Sequence, residues 1–258
     1  ADNFGIRPLP NLEAKFVAAN TLIGLAKKDA KLFDTDAIKE KEQALKLAKH
    51  KIFSAKTIRT KRKYRQLVND LRQELASMME KTGAVGNEEA RQLASWDMFD
   101  QNTYSTFFDS LWMFGIKDGF DIIIGNPPYN ELRDLTDEEQ IIYKTSRFYQ
   151  HAQGGRVNMF QFFYPFAIEN LKPSAICSFI TQNSLLAEES ALSNRSLIFK
   201  ECTILGIDSF PERDNKKLRV FESAKMSVCI CLLKQGKVSD YKFDIRTWKD
   251  KYMSECSI

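Results

Sequence analysis

Phe120-Asp121-Ile122-Ile123-Ile124-Gly125-Asn126-Pro127-Pro128-Tyr129 is the stretch from which the rest of the chain is read. Its apolar, β-branched run, closed by Gly and then by two prolines, predicts a buried parallel strand that stops abruptly. In open α/β sheets, ligands bind just beyond such carboxyl ends. The prolines lack N–H donors and fix φ, so they hold an extended backbone whose carbonyls are left to accept hydrogen bonds. Asn126 adds a side-chain acceptor and Tyr129 a flat face. The combination suits a planar group that bears an NH2.

Helix and strand alternate downstream. Helical patterns over residues 137–150, 157–171 and 191–201 are interleaved with strand patterns over 175–181, 204–210 and 226–234. This order predicts an α/β sheet with helices on its faces. Upstream, residues 12–19 predict a short strand that ends near Asn20. From about Thr35 to Glu80 there is almost no Gly or Pro, and apolar residues such as Ala44, Leu47, Ala48, Val68, Leu71, Leu75 and Met79 recur at helical spacing. We expect two long amphipathic helices broken between Ser54 and Arg59, with a stop at Thr82-Gly83.

With 258 residues, 43% of them hydrophobic, the chain can build one large domain or a domain carrying an insertion. The five cysteines show no paired C-x-x-C spacing, which argues against a zinc site or a disulfide framework and fits a reducing cytoplasm. No apolar stretch is long enough to span a bilayer. Only His50 and His151 are present, so imidazole chemistry has few candidates. The net charge of +4 is uneven: Lys27 to Lys81 holds 16 Lys and Arg against 8 Asp and Glu, a balance of +8, which leaves −4 for the remainder. Such a block can attract nucleic-acid phosphates, although charge alone favours a solvated helical face.

Asn126-Pro127-Pro128-Tyr129 after a hydrophobic strand resembles the catalytic motif of S-adenosylmethionine-dependent amino-methyltransferases, above all the N6-adenine DNA methyltransferases. The approach through Phe107-Phe108-Asp109 and Trp112-Met113-Phe114-Gly115 into Gly119-Phe120-Asp121 is similar to that of the large type IIG restriction-modification enzymes. Ser178 to Ser184 resembles the strand that follows the catalytic strand in that family. The resemblance implies an α/β fold, a partial Rossmann-like S-adenosylmethionine-dependent methyltransferase sheet with a long helical insertion. It divides the chain into catalytic segments at 1–26 and 119–235, a basic helical arm and aromatic connector at 27–118, and the start of a following element at 236–258.

It further implies catalytic roles for Asn126, Pro127, Pro128 and Tyr129, with Tyr129 and Phe221 stacking on the target base. Asn20 resembles a residue that contacts the adenine of the cofactor S-adenosyl-L-methionine, and alone reads equally as a turn or helix cap. The implied partners are double-stranded DNA with a flipped adenine and the rest of a parent polypeptide, in a restriction-modification or phage-defence protein. No metal and no membrane are implied. One departure stands out: the family's Gly-x-Gly donor loop has no counterpart, because no Gly-x-Gly occurs in the sequence. We therefore expect an internal portion of a longer protein that is inactive alone. Two alternatives remain open, a non-catalytic DNA-binding fragment and an amino-methyltransferase acting on protein glutamine or RNA.

Overall fold

The computed structural model describes residues 15–24, 35–100, 102, 104–253 and 256–257. They fall into two compact units, Ala1–Lys117 and Asp118–Ile258.

In the first unit, helices α1 (Asp36–Phe53) and α2 (Ile58–Lys81) form a hairpin. Thr35 caps α1 and Thr57 opens α2 with a reciprocal capping box, so the break lies at Ser54–Thr57, inside the expected interval. Ile38, Leu45, Ala48 and Ile52 of α1 are buried in one core with Val68, Leu71, Leu75, Ala76 and Met79 of α2. Leu47 and Leu67 lie off this stripe and are exposed. Gly83, at φ 76°, ends α2 in the left-handed conformation that glycine adopts without strain. Helices α3 (Asn87–Ser95) and α4 (Ser110–Phe114) follow.

Two buried cations tie the hairpin to these short helices. Lys49 donates to the Trp112 and Met113 carbonyls, and Arg72 donates to those of Leu93 and Ala94 at 3.2 and 3.3 Å. Each thereby satisfies carbonyls that a helix end leaves open. The strand expected over 12–19 is reduced, among the described residues, to single bridges of Ala19 to Ser105 and Gly24 to Phe108. Residues 12–14 lie outside the described ones.

The second unit is a mixed α/β sheet. Its strands are β1 (Phe120–Gly125), β2 (Leu171–Gln182), β3 (Cys202–Phe210), β4 (Val228–Gln235), β5 (Asp244–Trp248) and β6 (Cys256–Ser257), in the order β1-β2-β4-β3-β5-β6. β1 runs parallel to β2, and β4 is antiparallel to both β2 and β3. β5 extends the same sheet, parallel to β3. Helix α5 (Asp137–Thr145) is shorter than its pattern suggested; α6 (Phe160–Asn170), the single turn α7 (Ser184–Ala187) and α8 (Leu192–Glu201) follow. Phe160, Tyr164 and Ala167 of α6 and Ile198 of α8 share a core with Cys177, Phe179, Cys229, Cys231 and Leu233 of the sheet.

Two expectations are corrected here. β2 begins at Leu171, four residues early, because the ladder shifts register between Phe120 and Ile122 and places Lys172, Pro173 and Ser174 opposite the irregularity. A proline is tolerated there since no ladder bond is asked of it. β1 is parallel as expected but not buried. Among the described residues it pairs on one side only, and Ile122 and Ile124 are 66% and 79% exposed.

Candidate active site

β1 delivers Asn126 to the carboxyl end of the sheet. Its last residue, Gly125, lies opposite Phe179 of β2, and a Cβ at Gly125 would stand 3.2 Å from the Phe179 ring. Glycine therefore lets the strand pass that ring at close range. Beyond it Asn126 is exposed, Pro127 buried, Pro128 exposed and Tyr129 half-buried. Among the described residues, neither the Asn126 side chain nor the Pro127 carbonyl is engaged in a hydrogen bond. Both acceptors are thus free of described partners at the strand end.

Tyr129 is fixed at several points. Its hydroxyl donates to the Ile180 carbonyl of β2 at 2.9 Å. Its own carbonyl accepts from Asn158 Nδ2 at 2.6 Å and from Gln182 Nε2 at 3.4 Å. Burial, with a smaller contribution from nearby Cys229, pushes the phenol up to about 12, so it stays a donor throughout the ordinary pH range. The ring packs against Phe221, with centroids 6.1 Å apart and planes at 55°.

Phe221 reaches Tyr129 from the loop between β3 and β4. Both ends of that loop emerge beside the end of β2, since Val228 pairs with Gln182 on one side and with Phe210 on the other. The loop is internally braced. Arg219 donates to the Arg213 and Glu222 carbonyls at 3.1 and 2.6 Å, Lys251 pairs with Glu222 at 2.7 Å, and the Lys251 amide donates to the Leu218 carbonyl. The structure thus brings Tyr129 and Phe221 together. Asn20 belongs to the other unit, where its N–H donates to the Ser105 carbonyl at 2.8 Å and its carbonyl accepts from Ile23.

Asn158 and Gln182 were not anticipated from the sequence. Asn158 precedes an apolar helical run and reads there as a helix start, a role it partly fills by accepting from Phe160 N at 3.3 Å.

The profile of the Eco57I restriction-modification methylase family matches residues 32–216, well over half of the chain. The chain belongs to that family. The match takes in the hairpin, β1 and the motif together, so this Eco57I-family methylase carries the arm as part of its family pattern. No curated protein sequence matches the chain. Three similar solved structures are the M protein of the type I restriction enzyme EcoKI, the type IIG restriction endonuclease BpuSI and the type IIL restriction-modification enzyme MmeI in complex with DNA. Their identities are 15%, 13% and 15%, their TM-scores 0.38, 0.39 and 0.38. The alignments cover 95%, 87% and 86% of this chain but 48%, 27% and 37% of those chains. The present chain spans half or less of each.

Proposed function

We infer that this chain is the methyl-acceptor portion of a site-specific DNA methyltransferase that transfers a methyl group from S-adenosyl-L-methionine to N6 of adenine, within a restriction-modification or phage-defence protein. One observation carries the reading: the Asn126 side-chain oxygen and the Pro127 carbonyl stand unengaged at the end of β1, beside a Tyr129 held from both ends. The exocyclic amine of adenine is a poor nucleophile because its lone pair is delocalised into the ring. Two acceptors aimed at its hydrogens draw the nitrogen towards tetrahedral geometry and localise that pair. Positioning and fixed dipoles then suffice, with no covalent enzyme intermediate. The amine is paired inside duplex DNA, so the base must leave the stack. The Tyr129 and Phe221 rings offer the aromatic surface that receives it.

The residues present fit the acceptor and not the donor. Among the described residues no strand pairs with β1 on the side away from β2, and the sequence holds no Gly-x-Gly loop. The donor supplies the electrophilic methyl group, and the isolated chain is expected to bind it weakly. This also favours a second reading, a DNA-binding portion without activity of its own.

Double-stranded DNA is the proposed partner, and the arm supports it. We take 27–118 as a basic insertion between catalytic segments 1–26 and 119–235. From Gln43 to Asn69 there are nine Lys and Arg and no Asp or Glu. Arg59, Arg62 and Lys63 load the start of α2, the end of a helix where the backbone dipole disfavours cations. Such a local cost is offset when phosphates supply the missing negative charge.

The test uses the full-length parent protein, labelled S-adenosyl-L-methionine and genomic DNA free of N6-methyladenine. Label should appear in N6-methyladenine, and Asn126→Ala should lower the rate by roughly 100-fold, in line with the loss of one preorganised polar group, while leaving the DNA Kd within about twofold. Label in cytosine or protein, or an unimpaired variant, refutes the assignment.

A further inference from the structure

Asn158 lies in neither the tetrapeptide nor the aromatic pair, yet the catalytic segment hangs on it. The side chain is 7% exposed, and its Nδ2 spends both hydrogens on oxygens of the site: the Tyr129 carbonyl at 2.6 Å and Gln182 Oε1 at 3.3 Å. Its backbone N–H is held in turn by Gln161 Oε1 at 2.8 Å, and Gln161, 1% exposed, donates to the Ser190 carbonyl. The chain on either side is clamped to the residues that follow the motif. Met159 N donates to the Asn130 carbonyl and Leu132 N to that of Val157, both at 2.9 Å, and Glu131 bridges Asn158 across this short antiparallel contact.

Two prolines make Asn126 to Tyr129 stiff, so what fixes the Tyr129 carbonyl fixes the whole segment as one lever. β1 anchors only its near end. β1 ends at Gly125, so the far end of the segment has an anchor of its own.

We propose that Asn158, oriented by Gln182, is a positioning residue for methyl transfer: its buried amide grips the Tyr129 carbonyl and thereby aims the Asn126 and Pro127 acceptors at the amine. This rests on the methyltransferase reading above. Asn158 does not touch the base, so its loss acts on the chemical step more than on DNA binding.

The isosteric variant Asn158→Asp separates positioning from packing. At neutral pH its carboxylate faces two acceptor oxygens and cannot donate; once protonated, it regains an O–H donor. Burial, with no cation hydrogen-bonded to the Asn158 amide among the described residues, holds the introduced carboxyl above the ordinary carboxylate range. The titratable neighbours are Glu131, which pairs with Arg133 at 2.7 Å, the Tyr129 hydroxyl, and Cys229, whose thiol contacts the Gln182 carbonyl.

In the full-length protein, single-turnover methylation of N6-methyladenine-free genomic DNA is followed from about pH 8 down to pH 5. Relative to wild type, Asn158→Asp should be roughly 10- to 100-fold slower at the upper end and recover as pH falls, whereas Asn158→Ala stays slow throughout. The KM for DNA should stay unchanged in both. Gln182→Leu, a milder change available should the position 158 variants fail to fold, should slow kcat by roughly threefold. Wild-type kcat in Asn158→Ala or Gln182→Leu, or a pH-independent Asn158→Asp defect, overturns the proposal. Failure of the wild-type protein itself to methylate adenine strikes the functional reading instead.

Discussion

Tyr129 combines a ring that packs on Phe221 with a hydroxyl bonded to Ile180 and a carbonyl bonded to Asn158. These attachments separate under mutation. Tyr129→Phe keeps the ring and leaves the Ile180 carbonyl without that donor, which should cost about 1 kcal/mol in stability and less than about tenfold in kcat. Because the phenol is held near 12, the same change should leave the shape of the pH–rate profile untouched between about pH 6 and pH 10. A profile that altered in this range would mean that the hydroxyl takes part in proton transfer. At this scale the sequence was legible where chemistry is written into consecutive residues, as in Asn126 to Tyr129. It was silent on Asn158 and Gln182, because their roles arise from contacts across 29 and 53 positions of the chain. Polar residues at a helix start and at a strand end have ordinary local explanations that hide such a role.

The helical hairpin shows the same contrast at the level of an element. Its two helices, their break and the stop at Gly83 follow from periodicity and capping, all local signals. Lys49 and Arg72 do not, since a cation in an amphipathic helix is normally solvent-facing. Here burial, then the neighbouring Arg72, draw Lys49 down from 10.5 to about 7, with Asp109 opposing. The direction of the linkage follows. Below pH 7 the amine is charged in both folded and unfolded chains, and the cost of burying the charge is felt in full. Between about 7 and 10.5 the folded chain has released a proton that the unfolded chain retains, so stability rises with pH. A thermal melt series from about pH 6 to pH 10 should show an upward trend that Lys49→Met flattens; parallel trends in the two proteins would refute this. Under the proposed function, part of the hairpin's remaining basic charge serves DNA. Replacing Lys56, Arg59, Arg62 and Lys63 with Gln should lower the slope of log K against log salt by as much as about 0.9 for every phosphate these side chains neutralise, with saturated methylation unaffected. An unchanged slope would return them to the role of a solvated face.

For the whole molecule, the pattern of alternating elements was enough to predict an α/β sheet, and its mixed order places the motif, the end of β2 and the Phe221 loop at one end. The exposure of β1 was not legible. A β-branched run reads as buried whether or not a neighbour stands beside it, since sequence specifies a strand's appetite for cover and not the cover itself. That exposure has a kinetic side. Beyond Phe120, alternate amides of β1 point away from β2, towards a side where no described strand of the sheet stands, so in hydrogen exchange they should label well before those of β2 and β4. Uniform protection across the three strands would show that another chain pairs there. This exposed edge strand is also the one that carries the acceptor pair. Fluctuations of that edge are therefore fluctuations in aim, and the fraction of time the site is competent should track the time β1 stays zipped.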